Sequence, residues 1–65
     1  MGESVYDQLK EMQETILGIL PDVKKFEEQG NMAAATRVTK TLQNIRIDAK
    51  YMRQAILARR KELKG

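Results

Sequence analysis

Apolar residues recur at alternating steps of four and three along nearly the whole chain, and the register changes once, at Gly30 and Asn31. This spacing places apolar side chains on one side of an α-helix that packs against another helix, as in a coiled coil. Before the change the predicted seam contains Val5, Leu9, Met12, Ile16, Ile19, Val23 and Phe26. After it the predicted seam contains Ala35, Val38, Leu42, Ile45, Ala49, Met52, Ile56 and Leu63. The pattern predicts an all-α chain with two helices.

Short capping signals indicate where these helices begin and end. Ser4 begins a sequence that resembles a capping box, so we expect the first helix to start there. Gly30 can adopt the left-handed conformation that ends a helix, and the side chain of Asn31 can cap the next one. Pro21 is expected to kink the first helix without ending it, because the seam continues beyond it. The expected elements are helix 1 over about 4–28, a turn at 29–31 and helix 2 over about 32–61.

Two helices joined by so short a turn must fold back on each other, which predicts one antiparallel two-helix hairpin over residues 1–65. A hairpin of this size buries little core by itself. Further apolar residues lie beside the two seams, and we expect them to join two copies into a homodimeric four-helix bundle. The alternative is that they are scattered surface apolar residues, which are common. These candidates for the dimer interface are Tyr6, Leu17, Leu20, Ile47 and Tyr51.

The residue types offer little for catalysis. The chain has no histidine and no cysteine, which excludes Ser–His and Cys–His nucleophiles, histidine and thiolate metal sites, and disulfides. Asp7, Glu11 and Glu14 share one helical face, but acidic residues at such spacing are far more often a solvated face than a metal site. No glycine-rich phosphate loop is present. We therefore expect no enzymatic activity, no cofactor, no metal and no small-molecule substrate.

No apolar run approaches the roughly 20 residues that a membrane-spanning helix needs. The amino terminus also lacks the basic and hydrophobic regions of a secretory signal. We therefore expect a cytoplasmic protein without a membrane partner.

Charge is distributed unevenly along the sequence. Residues 1–32 contain three lysines and seven acidic residues, for a net charge of −4. Residues 33–65 contain nine basic and two acidic residues, for a net charge of +7. Such a basic half suggests a polyanionic partner. The alternative is that the two halves attract each other.

The basic residues of helix 2 are also ordered in space. Five of them recur at helical spacing and form what we call the basic stripe, about 27 Å long at 1.5 Å per residue. Two further cations lie closer to the turn. The surplus of positive charge favours contact with nucleic-acid phosphates over ion pairing within the protein. The predicted nucleic-acid-binding residues are Arg46, Lys50, Arg53, Arg60 and Lys64 of the basic stripe, with Arg37 and Lys40 near the turn.

The start of helix 2 is a second candidate anion site. Its first backbone N–H groups have no partner within the helix, and small side chains would let a phosphate approach them. Asn31, Met32 and Ala33 form this predicted site, with Arg37 one turn further along. The alternative reading is that the alanines let the two helices pack closely at the turn.

The turn and helix 2 resemble a known family, the small bacterial histone-like proteins related to the chlamydial linker-histone-type protein. The residues that carry the resemblance are Gly30, Asn31, Ala33, Ala34 and Arg37, then Ala49, Lys50 and Arg53, with Ile16, Leu17 and Leu20 in the first helix. The similarity covers about residues 16–54 and corresponds to the helical domain of the family, without its lysine- and alanine-rich tail. It implies a nucleoid-associated protein that binds DNA with little sequence preference.

Two functional hypotheses follow from the sequence. The first is a histone-like protein that contacts the backbone of double-stranded DNA, with RNA as an alternative ligand. The second is a helical hairpin that assembles with other proteins and binds no nucleic acid. The excess of cations on helix 2 favours the first, because an assembly module would balance them.

Overall fold

The computed structural model describes residues 4–64, and these form two α-helices. Helix α1 spans Val5–Gln29 and helix α2 spans Met32–Lys64. They pack side by side as an antiparallel hairpin that measures 53 by 18 by 15 Å. The predicted all-α hairpin is confirmed. Helix α2 continues to Lys64, beyond the end expected near Lys61, because Lys, Glu and Leu are good helix formers.

The turn between the helices has the geometry that its sequence predicts. Gly30 has φ 65° and ψ 27°, and its N–H donates a hydrogen bond of 2.9 Å to the carbonyl oxygen of Phe26. The N–H of Asn31 points to the carbonyl oxygen of Lys25 at 3.5 Å. The Oδ1 atom of Asn31 accepts a hydrogen bond of 3.0 Å from the N–H of Ala34. One helix is thus closed by a left-handed glycine, and the next is capped by an asparagine.

The other end of α1 and its proline also follow the sequence. The Oγ atom of Ser4 accepts a hydrogen bond of 3.1 Å from the N–H of Asp7, which caps the first turn. Helix α1 runs through Pro21 without a break. Pro21 removes one backbone hydrogen-bond donor from the helix. The apolar residues before and after it keep the same heptad register, so both parts of α1 pack against α2 as one helix.

The contact between the helices follows one line of residues on each. Among the described residues only Ala34 and Met52 are buried, at 0% and 5% exposure. Around them lies a series of half-buried apolar side chains at heptad spacing. We call this series, with Ala34 and Met52, the central contact line; its half-buried members are Val5, Met12, Ile19, Val23, Ala35, Val38 and Ile45.

Several residues of the predicted seam lie outside this line, which corrects the expected register. Five of them are 42–52% exposed: Leu9, Ile16, Phe26, Leu42 and Ile56. On the opposite side of the hairpin the polar residues Gln8, Asp22 and Thr41 are half-buried instead. Two features draw the helices together on that side, namely the small side chain of Ala34 and an ion pair between Asp22 and Arg37. The larger apolar side chains are consequently left partly uncovered on the other side.

Candidate nucleic-acid interface

Positive charge is concentrated on α2. This helix contains nine of the twelve lysine and arginine residues of the chain and only two acidic residues, Asp48 and Glu62. Helix α1 contains three lysines and six acidic residues. One hairpin therefore presents an acidic helix beside a strongly basic one.

The basic stripe forms two neighbouring rows along α2. Arg46, Arg53 and Arg60 recur every seven residues, close to two helical turns, and we call them the arginine row. Lys50 and Lys64 belong to the next row, and all five side chains are exposed. Arg46 and Lys50 line one shallow groove together with Gln43 and Ile47. The structure thus exposes the whole stripe to solvent, with Leu57 between Lys50 and Lys64 in the second row.

The five cations of the basic stripe form no salt bridge with acidic residues within residues 4–64. The described part of the hairpin contains two salt bridges, Arg37–Asp22 and Arg59–Glu62. Neither involves a residue of the basic stripe. The acidic residues of α1 therefore do not neutralise these cations, contrary to the ion-pairing alternative.

Arg37 differs from the basic stripe because it joins the two helices. Its Nε donates a hydrogen bond of 3.0 Å to Oδ2 of Asp22, and its Nη2 donates one of 2.9 Å to Oδ1. These hydrogen bonds, together with the charge of the guanidinium, lower the pKa of Asp22 below its ordinary value of 3.8. The same hydrogen bonds raise the pKa of Arg37. One edge of the guanidinium fork is therefore occupied by a carboxylate of the protein itself.

The predicted anion site at the turn is only partly open. Asn31 already satisfies the N–H of Ala34, and the buried methyl group of Ala34 shows that a small residue is needed for close packing here. Met32 and Ala33 are exposed at the start of α2. A role for Asn31, Met32 and Ala33 in anion binding stays a prediction, as does that of Arg37.

Lys40 is exposed further along α2. It lines a groove with five other residues of the same helix: Met32, Ala35, Thr36, Thr39 and Gln43. Lys40 therefore lies between the turn and the basic stripe, and its role in nucleic-acid binding stays a prediction.

The predicted dimer residues do not all share one surface. Ile47 lies in the groove of Arg46 and Lys50, whereas Tyr51 lines a polar groove with Gln8, Glu11, Thr15 and Asp48. The ring of Tyr6 lies under the ammonium group of Lys10, at 5.5 Å. Leu17 and Leu20 are exposed on α1.

Sequence reasoning missed a different surface, which lies between the two helices. Leu9, Ala49 and Ile56 line an apolar groove there, together with Met12, Met52, Arg53 and Leu57. Reading the heptads as two parallel apolar rows on each helix would have shown that one hairpin can cover only one of them.

Within residues 4–64 neither helix is long and apolar enough to cross a membrane. The same range contains no group of three or more acidic residues placed to hold a metal ion.

Within residues 4–64 the hairpin carries a surplus of unpaired cations on one helix, which is typical of a small basic protein that binds a polyanion. Comparison with protein families agrees, since residues 6–62 match the family described as histone H1-like protein Hc1. The match spans most of the chain, and the chain belongs to this family. The resemblance seen in the sequence is confirmed, and the family is one of DNA-binding nucleoid proteins rather than enzymes. No curated protein and no solved structure matches the chain.

Proposed function

We propose that this protein binds double-stranded DNA through phosphate contacts made by the basic stripe, with little preference for sequence. The observation that carries the proposal is the row of exposed cations on α2 that have no carboxylate partner among residues 4–64. Membership of the histone H1-like family supports the same ligand.

The proposed mechanism is electrostatic. Residues 46–64 extend over roughly 27 Å of helix, while duplex DNA carries one charge per about 1.7 Å of its axis. A rigid helix of this length can therefore place several cations beside phosphates at once. Each contact releases condensed counterions, and this release supplies affinity without reading any base.

Lys40 extends this surface toward the turn, where the N–H groups of Met32 and Ala33 offer a weaker contact. Arg37 contributes mainly by holding α1 against α2, because its fork is engaged by Asp22. The protein thereby acts as a nucleoid-associated component of the cytoplasm and catalyses no reaction.

Duplex nucleic acid fits better than single strands. Stacking of unpaired bases requires aromatic side chains among the cations. Tyr51 is the aromatic residue closest in sequence to the basic stripe, but it lines the polar groove on another side of the hairpin. Double-stranded RNA shares the phosphate chemistry and is the alternative ligand.

We further propose that the protein works as a homodimer. The described residues of one hairpin bury only Ala34 and Met52, which is very little for a stable fold. A second copy would supply the missing contacts and double the number of cations that face DNA.

The test compares two double variants that remove the same net charge. Lys50→Gln with Arg60→Gln removes two cations of the basic stripe, and Lys10→Gln with Lys24→Gln removes two cations of α1. For the first pair we expect the slope of log K against log[salt] to fall in magnitude by about two per bound copy, since each phosphate contact contributes about 0.9. The second pair should leave the slope nearly unchanged.

Equal effects of the two pairs would contradict a role for the basic stripe, because affinity would then depend on net charge alone. Absence of DNA binding by the unmodified protein would favour the assembly module, which binds no nucleic acid. Repeating the assay with an RNA duplex of the same length identifies the preferred nucleic acid.

A further inference from the structure

One side of the hairpin presents an apolar surface that a single copy leaves largely uncovered. Two heptad rows form it, and we call them together the apolar face. Two apolar grooves run along this side, one beside Leu9, Ala49 and Ile56 and the other beside Val23, Phe26 and Ala35. The apolar face consists of Leu9, Ile16 and Val23 on α1 and Ala35, Leu42, Ala49 and Ile56 on α2. Val23 and Ala35, near the turn, are half-buried members of the central contact line, and the other five residues are exposed.

The total surface of the chain shows how much area is left to cover. Its accessible surface is 5779 Å² at a mass of 7.5 kDa. A folded monomer of this mass is expected to expose about 4,200 Å², so the excess is roughly 1,600 Å². A standard interface buries about 800 Å² per partner, about half of this excess, whereas obligate dimers bury about 1,000–2,500 Å² per partner. A second copy can therefore account for the excess if it docks over an extensive interface of the obligate kind.

Side-chain sizes on α2 indicate how two copies fit together. The row Ala35, Leu42, Ala49, Ile56 alternates small and large residues. If two α2 helices cross antiparallel about a two-fold axis between residues 45 and 46, each Leu42 lies opposite an Ala49 of the second copy. Each Ile56 then lies opposite an Ala35. Large side chains meet small ones throughout, which is the condition for close packing.

The same axis also suits α1. Asp22 contacts Arg37, and Met12 shares a groove with Ala49. A residue of α1 and a residue of α2 therefore lie at the same height along the hairpin when their numbers sum to about 60. Ile16 is therefore level with the axis and would meet its own copy. A single two-fold axis satisfies both apolar rows, and the turns of the two hairpins then lie at opposite ends.

We propose that a second copy docks on the apolar face in this antiparallel arrangement, and that the two arginine rows then form one DNA-contacting surface. Arg53 lines the edge of the apolar groove, and Arg46 and Arg60 lie one heptad to either side of it. The antiparallel pairing of α2 helices brings six arginines to one side of the bundle. Only the role assigned to these arginines rests on the proposed DNA binding; the docking itself does not.

This arrangement has an electrostatic signature. It brings two basic helices together, so the affinity between the two copies should rise as salt screens their repulsion. The affinity should rise further when DNA binds the surface formed by the two arginine rows. The alternative bundle, with both turns at one end, would place acidic α1 over basic α2 and would weaken with salt.

Cysteine cross-linking without DNA tests the docking, because the chain has no native cysteine. Ile16→Cys should form a disulfide-linked dimer with itself in high salt. Leu42→Cys and Ala49→Cys should cross-link efficiently when the two are mixed and poorly when each is alone, because disulfides require Cα atoms within about 7 Å. Ile47→Cys, on the outer side of α2, is the matched control.

Cross-linking of Ile16→Cys with Leu42→Cys would overturn the proposal in favour of the bundle with turns at one end. The proposal would also be overturned if the predicted cysteine variants are helical by circular dichroism but give no higher yield of cross-linked dimer than Ile47→Cys. Sedimentation equilibrium of the unmodified protein gives an independent check, since a dimer that weakens with salt contradicts the arrangement. Failure of DNA binding with intact cross-linking would count against the proposed function alone.

Discussion

Leu42 and Ile47 provide a matched pair that tests whether the apolar face is covered. Their side chains are equally exposed in one hairpin, at 52% and 49%. Leu42 lies on the apolar face, whereas Ile47 lies in the groove of Arg46 and Lys50. In an isolated hairpin both truncations to alanine should cost about 1 kcal/mol, because each side chain is only half removed from water.

If a second copy covers the apolar face, the two truncations should lower the free energy of unfolding by different amounts. Leu42→Ala then creates a cavity in a closed core, which costs about 2–4 kcal/mol, while Ile47→Ala stays near 1 kcal/mol or below. The assay is urea unfolding followed by circular dichroism at several protein concentrations. The midpoint of the unmodified protein should rise with concentration, and Leu42→Ala should lower it at every concentration. Equal small losses for both variants, with midpoints independent of concentration, would refute the reasoning.

Three further predictions concern the hairpin itself. Gly18→Ala should stabilise the fold by about 0.5–1 kcal/mol, because a Cβ there meets no other atom within 4 Å and alanine is the better helix former; thermal melts check this, and a loss would contradict it. Gly30→Ala should destabilise by about 1–2 kcal/mol, since its φ of 65° is strained for any residue with a Cβ; an unchanged melting temperature would contradict it. Asp22→Asn should be less stable than the unmodified protein at neutral pH, and the difference should shrink as pH falls below 3.8. The lowered pKa of Asp22 means that its stabilisation is present above its ordinary pKa and is lost on protonation. Unfolding midpoints over this pH range measure it, and a constant difference would exclude the ion pair as its source.

The ends of the helices could be predicted because they depend on local chemistry. Ser4, Gly30 and Asn31 each act on backbone groups within four residues, and each adopts the role that its residue type favours. The two-helix hairpin follows from these ends and from the heptad pattern. None of this requires knowledge of distant contacts.

The rotation of the helices about their axes could not be predicted in the same way. Each helix has two neighbouring apolar rows, and the sequence does not say which one faces the partner. The choice depends on contacts between residues far apart in the chain, such as the fit of Ala34 and the ion pair of Asp22 with Arg37. For this reason the predicted seam included Leu9 and Leu42, which the structure leaves half exposed.

The candidate site likewise has features that depend on local spacing and features that depend on contacts between distant residues. The exposure of the basic stripe could be predicted, since five cations at helical spacing on one helix must share a side. The engagement of Arg37 could not, because its partner lies fifteen residues away on the other helix. The surface proposed for dimerisation also depends on helix rotation. Ile47 and Tyr51, which the sequence predicts at a dimer interface, line two other grooves of the hairpin, and their part in a dimer stays a prediction.

The affinity of the unmodified protein for two unrelated DNA duplexes, measured over a series of salt concentrations, tests the central claim most directly. Five phosphate contacts from the basic stripe predict a slope of log K against log[salt] of about −4.5 per bound copy. Because phosphate contacts carry no base information, the two duplexes should give nearly the same affinity and slope. Absence of binding at low salt, a slope near zero, or a strong preference for one duplex would contradict the account.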